Sequence, residues 1–210
     1  MSKIIDAIAQ WRILPAITIE RVEDAWPLAQ ALKAGGLPCA EVTFRTAAAE
    51  AALREIGRDP YILLGAGTVL QPEQVDRAQA AGAQFMVAPG FNPKVVRRCR
   101  ELNVPIIPGV STPTEIEMAL DAGIEVVKFF PAEVLGGVKI LKAISAPYAM
   151  VRFVPTGGIN QENLAGYLAL RAVLAVGGSW MVAPELIKAG RFDEITRLTA
   201  AAMAVARAKK

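Results

Sequence analysis

Lys128 lies inside an apolar run, Val126-Val127-Lys128-Phe129-Phe130-Pro131. Taking an ammonium out of water costs several kcal/mol unless a partner compensates it or it gives up its proton. A lysine in such a run is therefore either paired in place or a reactive amine, the form that attacks a carbonyl carbon. The chain contains no histidine, so the commonest general base and metal ligand is missing. Chemistry must rest on Lys, Glu, Asp, Arg, Thr, Ser, Tyr or backbone groups.

A second group is Glu41-Val42-Thr43-Phe44-Arg45-Thr46. In a strand, Glu41, Thr43 and Arg45 share one side at period two. With Val42 and Phe44 against helices, Glu41 points inward and needs a cation, for which Lys128 is the candidate. Two readings stand: a buried structural ion pair, or an acid–base carboxyl beside a nucleophilic amine. Arg45 either grips a substrate carboxylate with its planar fork or opens the next helix at the surface. Gly65-Ala66-Gly67-Thr68-Val69 offers small residues and one hydroxyl, as a plain turn also would.

Two glycine pairs stand out: Pro155-Thr156-Gly157-Gly158-Ile159-Asn160 and Val176-Gly177-Gly178-Ser179-Trp180. Read as turns that each open a helix, they let backbone N–H groups converge on one anion, which suits a phosphate. Ser111 or Thr112 reads as a helix cap. The acids Glu41, Glu133 and Asp121 are scattered, so no metal site is expected. Cys39 and Cys99 lie beside apolar runs and read as buried thiols, neither a disulfide framework nor a zinc motif.

The elements that must position these groups follow a rhythm. Apolar runs begin near Ile13, Cys39, Tyr61, Ala83, Val104, Glu125, Met150 and Ala172, at intervals of roughly 21 to 26 residues, about one strand, one helix and two loops. Their continuous apolar character suits parallel strands covered on both faces. Between them run alanine-rich helical stretches. Residues 72–82 start with Pro72 and stop at Gly82, and residues 112–123 carry a Thr cap, a proline and a final Gly123. Segments after Thr46, Asn92, Gly137 and Asn160 repeat this grammar. The expectation is a single domain over residues 1–210, a (β/α)₈ TIM barrel with an extra N-terminal helix at residues 4–11. An open doubly wound sheet is the rival. Residues 184–208 make one broken helix or two. In a barrel, ligands sit at the C-terminal strand ends, where the groups above fall.

With 210 residues, 53% hydrophobic and 20% charged, the chain reads as globular with a large core. A net charge of +3, with no basic stripe interleaved with aromatics, argues against nucleic-acid binding. The run Arg207-Ala208-Lys209-Lys210 reads as a solvated tail. Residues 1–8 lack a long apolar core, so no signal peptide is expected, and no stretch suits a membrane span; cytoplasm is the default.

Together, residues 41–46, 65–69, 128–133, 155–159 and 177–180 resemble the 2-keto-3-deoxy-6-phosphogluconate (KDPG) aldolase family, class I lyases of the Entner–Doudoroff pathway. The resemblance spans nearly the whole chain in order and spacing, and implies a (β/α)₈ barrel assembled as a homotrimer. It implies Lys128 as the Schiff-base lysine and Glu41 as the acid–base carboxyl. Arg45 and Thr68 then hold the pyruvate carboxylate, Phe130 and Pro89 wall the pocket, and Thr156, Gly157, Gly158, Gly178 and Ser179 bind phosphate. Some relatives carry an arginine at the end of the first strand, where this chain has Leu14-Pro15-Ala16-Ile17-Thr18-Ile19-Glu20, as in the branch without it.

The implied reaction cleaves KDPG to pyruvate and glyceraldehyde 3-phosphate through a covalent lysine imine, with neither metal nor other cofactor. 4-Hydroxy-2-oxoglutarate is an expected side substrate. The amine must be partly neutral: the apolar wall and Arg45 favour that, while Glu41 opposes it. The competing readings are a sugar-phosphate isomerase or epimerase, which would need paired acid–base groups, and a non-catalytic phosphosugar-binding barrel.

Overall fold

A computed structural model describes residues 3–208. Met1, Ser2 and the last two lysines of the basic tail, Lys209 and Lys210, lie outside the described residues. Helix α1 (Lys3–Trp11) buries Ile5 and Ile8 and leads into β1 (Ile13–Ile17). Strand and helix then alternate: α2 (Ala25–Ala34), β2 (Cys39–Thr43), α3 (Ala49–Ile56), β3 (Leu63–Gly67), α4 (Pro72–Ala80), β4 (Phe85–Val87) and α5 (Pro93–Glu101). The second half holds β5 (Ile106–Ile107), β6 (Gly109–Val110), α6 (Pro113–Asp121), β7 (Val126–Phe129), α7 (Gly137–Ser145), β8 (Arg152–Pro155), α8 (Leu164–Leu168) and β9 (Val176–Gly178). Two helices, α9 (Pro184–Lys188) and α10 (Phe192–Ala208), end it, so the C-terminal stretch is two helices.

All strand pairs are parallel. They form the ladders β5-β4-β3-β2-β1-β9 and β6-β7-β8. Pro108 separates β5 from β6 because it has no N–H to give a ladder. Its carbonyl still accepts the Lys128 N–H at 2.8 Å. At the other side, single bridges join Phe153 to Val173 and Thr156 to Gly177. The result is a curled parallel sheet with helices around it. Both faces of its strands are covered, which is why β2 and β7 are buried at every position, the charged residues included.

The helix grammar is visible in hydrogen bonds. Thr112 accepts the Glu115 N–H while the Glu115 carboxylate takes the Ser111 and Thr112 N–H groups, a capping box. Asn92 accepts the Lys94 N–H at 3.0 Å. Gly82 and Gly123 end their helices at φ of 98° and 69°, conformations that disfavour a side chain. Cys39 and Cys99 are free and buried. Among the described residues no helix is long and apolar enough to cross a membrane.

Two expectations need correction. Six strands begin one to four residues later than the apolar runs that announce them. The early residues of those runs line the strand entry instead: Tyr61, for example, is 76% exposed and carries the Lys33 ammonium over its ring. The glycine pairs also differ from each other. Gly157 and Gly158 turn, with φ of 101° and 79°, but the next helix starts only at Leu164. Gly177 and Gly178 belong to β9 and are followed by a three-residue 3₁₀ turn, Trp180–Val182. Neither pair therefore sits directly on a helix N-terminus.

Some glycines act by making room. A Cβ on Gly65 would lie 2.2 Å from the Phe85 ring, which fills the inside of the sheet. Overpacking of this kind costs about 1–3 kcal/mol. Gly65→Ala is expected to lower the melting temperature by several degrees in a thermal unfolding scan; an unchanged midpoint would contradict this packing.

Candidate active site

A cavity of about 340 Å³ opens at the C-terminal ends of the strands. Strand β1 contributes Ala16 and Thr18 just beyond its end; β2 contributes Glu41 and Thr43, with Arg45 following. From the other ladder come Lys128 on β7 with Phe130 just after it, then Thr156 and residues 157–159 after β8, while Gly178 ends β9 and Ser179 follows it. The period-two reading of Glu41, Thr43 and Arg45 holds, since all three line the cavity.

Lys128 Nζ stands 3.8 Å from Glu41 Oε1, with side-chain exposures of 8% and 1%. That distance is too long for a hydrogen bond. Structural pairs elsewhere in the chain, Arg21–Asp24 and Lys33–Asp59, are in contact at 2.9 Å. Glu41 Oε1 is buried and has no hydrogen-bond partner. At an effective dielectric of 20, two charges at this separation attract by about 4 kcal/mol, while removing each from water costs several kcal/mol. The pair thus adds little net stability, and its open gap faces the cavity.

The Glu41 carboxyl is held above its ordinary value of 4.5, because burial outweighs the pull of Lys128 and Arg45 toward ionisation. Its place depends on Gly67: a Cβ there would fall 2.2 Å from Glu41 Oε1. On the other side, Lys128 Nζ lies 5.3 Å from the centre of the Phe130 ring, so one flank of the amine is apolar and aromatic. The site is an amine and a raised carboxyl separated by a gap that a small polar molecule can bridge.

At the opposite end, Gly158 and Ser179 present backbone N–H groups with no backbone acceptor among the described residues, while Gly157 follows the bridge that joins Thr156 to Gly177. Thr156 is buried, its hydroxyl donating to the Val154 carbonyl at 3.3 Å. Free amides on glycine-rich backbone suit an oxyanion even without a helix terminus. The turn is fixed from behind: the Ala132 and Glu133 N–H groups donate to the Thr156 and Gly157 carbonyls at 2.8 and 3.1 Å. The Tyr167 hydroxyl in turn donates to the Glu133 carboxylate.

Comparison with known proteins reads this arrangement. Residues 4–198 match the family model for KDPG and KHG aldolase. The chain belongs to the KDPG and KHG aldolase family. It is 56% identical over 200 residues to the 2-dehydro-3-deoxy-phosphogluconate aldolase of Treponema pallidum, covering 95% of each chain. It overlays the KDPG aldolase of Legionella pneumophila, which holds pyruvate captured as a covalent carbinolamine, with TM-score 0.91 and 43% identity over 95% of this chain and 98% of that one. It overlays the Zymomonas mobilis ZM4 aldolase with 3-phosphoglycerate at TM-score 0.90 and 38% identity, over 96% of this chain and 95% of that one.

Against the family expectation, nine of the eleven named residues line the cavity and two do not: Thr68 and Pro89. Thr68 reaches it through Arg45, whose Nε donates to the Thr68 hydroxyl at 3.4 Å. Thr68 also takes φ 55°, the left-handed region that disfavours a side chain, so its placement is held by the surrounding turn. Pro89 stands behind the site, its carbonyl filling the space a Cβ on Gly109 would need. Sequence reasoning missed Thr18, Ala16, Ile159, Val182 and Pro184 as wall residues. Alternation along β1 was the available signal: Ala16 and Thr18 are two apart, as Glu41 and Thr43 are. Among the described residues no group of three or more acids or cysteines converges to hold a metal ion.

The raised carboxyl has a pH consequence. In the unfolded chain Glu41 ionises near 4.5, whereas in the folded chain it keeps its proton to higher pH. Between those two values the folded state binds more protons, so stability falls as pH rises, by at most about 1.4 kcal/mol per pH unit. Glu41→Gln lacks this slope. Denaturant titrations at a series of pH values are expected to show the variant gaining on wild type as pH climbs through that window; parallel curves would contradict a raised Glu41.

Proposed function

We propose that this chain cleaves KDPG to pyruvate and glyceraldehyde 3-phosphate by imine catalysis, with Lys128 as nucleophile and Glu41 as acid–base. The observation that carries this is the buried Lys128 amine, 3.8 Å from an unpartnered, raised carboxyl, in a cavity whose far end offers free amides. The carbinolamine in the Legionella relative and the 3-phosphoglycerate complex of the Zymomonas relative support the two halves of that reading. No metal takes part in the proposed sequence.

The neutral Lys128 amine adds to the C2 ketone. Glu41, protonated at the outset, gives its proton to the departing hydroxyl, and water leaves to form a protonated imine. That cation accepts the electron pair of the C3–C4 bond once Glu41, now ionised, takes the C4 hydroxyl proton. Glyceraldehyde 3-phosphate departs, leaving an enamine that is protonated at C3 and hydrolysed to pyruvate and the free amine. A carboxyl that burial holds above its ordinary value keeps a proton to give and can take one back once ionised, which suits one residue serving each step.

Arg45, with Thr68 beside it, takes the C1 carboxylate; Phe130, and Pro89 from behind, shape the wall around the pyruvyl carbons. Thr156, Gly157, Gly158, Gly178 and Ser179 take the phosphate, holding the reacting carbons against Lys128. 4-Hydroxy-2-oxoglutarate fits the same chemistry, as the family description implies. An isomerase would need a second acid–base group, and Glu41 is the one carboxyl in the cavity lining.

The two ladders, joined at Pro108 and by the bridge between Thr156 and Gly177, support a closed eight-stranded barrel, β5 and β6 being one strand. Helix α1 then stands as the extra N-terminal helix, and residues 1–210 form one domain. Family resemblance supports a homotrimer and a cytoplasmic location.

The test is pyruvate release from KDPG. Lys128→Ala is expected to abolish turnover, and Glu41→Gln to reduce kcat by about 10²–10⁴-fold with the fold retained. Near wild-type turnover by Lys128→Ala would overturn the assignment, and a Glu41→Gln protein that unfolds yet turns over normally per folded molecule would make the pair structural.

A further inference from the structure

We propose that Thr18 is a specificity-determining residue, accepting a hydrogen bond from the C5 hydroxyl of the six-carbon substrate through a lone pair that Thr43 aims; this rests on the aldolase reading above. Thr43 Oγ1 lies 2.8 Å from the Ile17 carbonyl oxygen. A carbonyl only accepts, so the single Thr43 proton is spent there. Thr18 Oγ1 lies 3.1 Å from Thr43 Oγ1. The proton in that contact must then come from Thr18. With its one O–H used, half-buried Thr18 turns only lone pairs toward the cavity it lines. It can accept a hydrogen bond there and cannot give one.

Its position selects the donor. In the sheet β1 lies between β9 and β2, with Pro15 opposite Gly178 and Ala16 opposite Glu41. Ser179 follows β9 on the phosphate side, and Glu41 on β2 serves the C4 hydroxyl. A substrate running from one to the other crosses the end of β1, where Thr18 stands two residues beyond Ala16. The atom between the phosphate-bearing C6 and the reacting C4 is C5. In KDPG that carbon carries a hydroxyl, which donates. In 4-hydroxy-2-oxoglutarate it is a carboxylate carbon, whose oxygens only accept and would meet the Thr18 lone pair. The hydroxyl relay thus favours the six-carbon substrate both by attraction and by repulsion of the five-carbon diacid. A relay that merely staples β1 to β2 would affect stability and leave this preference alone.

The experiment measures kcat/KM for both substrates by pyruvate release, for wild type, Thr18→Val and Thr18→Ser. Thr18→Val is expected to lose about tenfold on KDPG, the approximate worth of one hydrogen bond, and to gain on 4-hydroxy-2-oxoglutarate. Thr18→Ser, which keeps the hydroxyl, is expected to keep the wild-type ratio. Equal losses on the two substrates in Thr18→Val, or the same shift in ratio in Thr18→Ser, would overturn the proposal. Wild-type kinetics with the 5-deoxy analogue of KDPG give a reading that needs no variant to fold: about a tenfold deficit is expected, and parity with KDPG would overturn it. Wild-type protein inactive on both natural substrates is a different result, and would remove the aldolase reading itself.

Discussion

An ammonium-type side chain and a carboxyl, carried by strands that are not neighbours in the sheet, are held out of water with a gap between them. Everything else in the site depends on that. Their attraction and their desolvation are of the same order, so the pair does not stabilise the fold to any useful degree. Apolar burial elsewhere must carry it. The covered parallel sheet does so, with the helices α2 and α10 packed against each other and β2 and β7 buried throughout. Because the energetic balance is close, a small change decides the protonation of Glu41. Burial wins here and holds the carboxyl above its ordinary value.

The geometry is set by what is missing from the backbone as much as by what it carries. Gly67 leaves the space that the Glu41 carboxyl occupies, Gly109 the space for the Pro89 carbonyl, and Gly177 the space for the Thr156 hydroxyl. Each is a place where a methyl group would push a neighbouring site element out of position. The turn at Gly157 and Gly158 is braced by a chain of contacts from Thr156 and Gly157 through Glu133 to Tyr167. The same short segment after β7 therefore links the amine to the far end of the cavity.

Much of this was legible in the sequence, for uneven physical reasons. Lys128 and Glu41 declare themselves because a charge inside an apolar run has few explanations. The alternation of strand and helix was legible because Thr112, Asn92, Gly82 and Gly123 punctuate helices by known capping chemistry. Strand starts were less so: apolar residues such as Tyr61 and Ala172 serve the approach to a strand as readily as the strand itself. Pro108 interrupts one apolar run between β5 and β6, and only the structure shows that its carbonyl still serves the ladder by accepting the Lys128 N–H. The two glycine pairs look alike in sequence, and only backbone angles separate the turn at Gly157 and Gly158 from the strand at Gly177 and Gly178. Thr18 was hidden because a threonine at a strand end is ordinary; its meaning lies in the direction of a proton shared with Thr43, which composition does not encode.

The central claim is that Lys128 forms a covalent imine with a keto acid. Incubation with pyruvate and borohydride, followed by peptide mapping in a mass spectrometer, tests it directly. The account predicts one reduced pyruvyl group per chain, located on Lys128. Unmodified Lys128, or label spread over the exposed lysines, would contradict it.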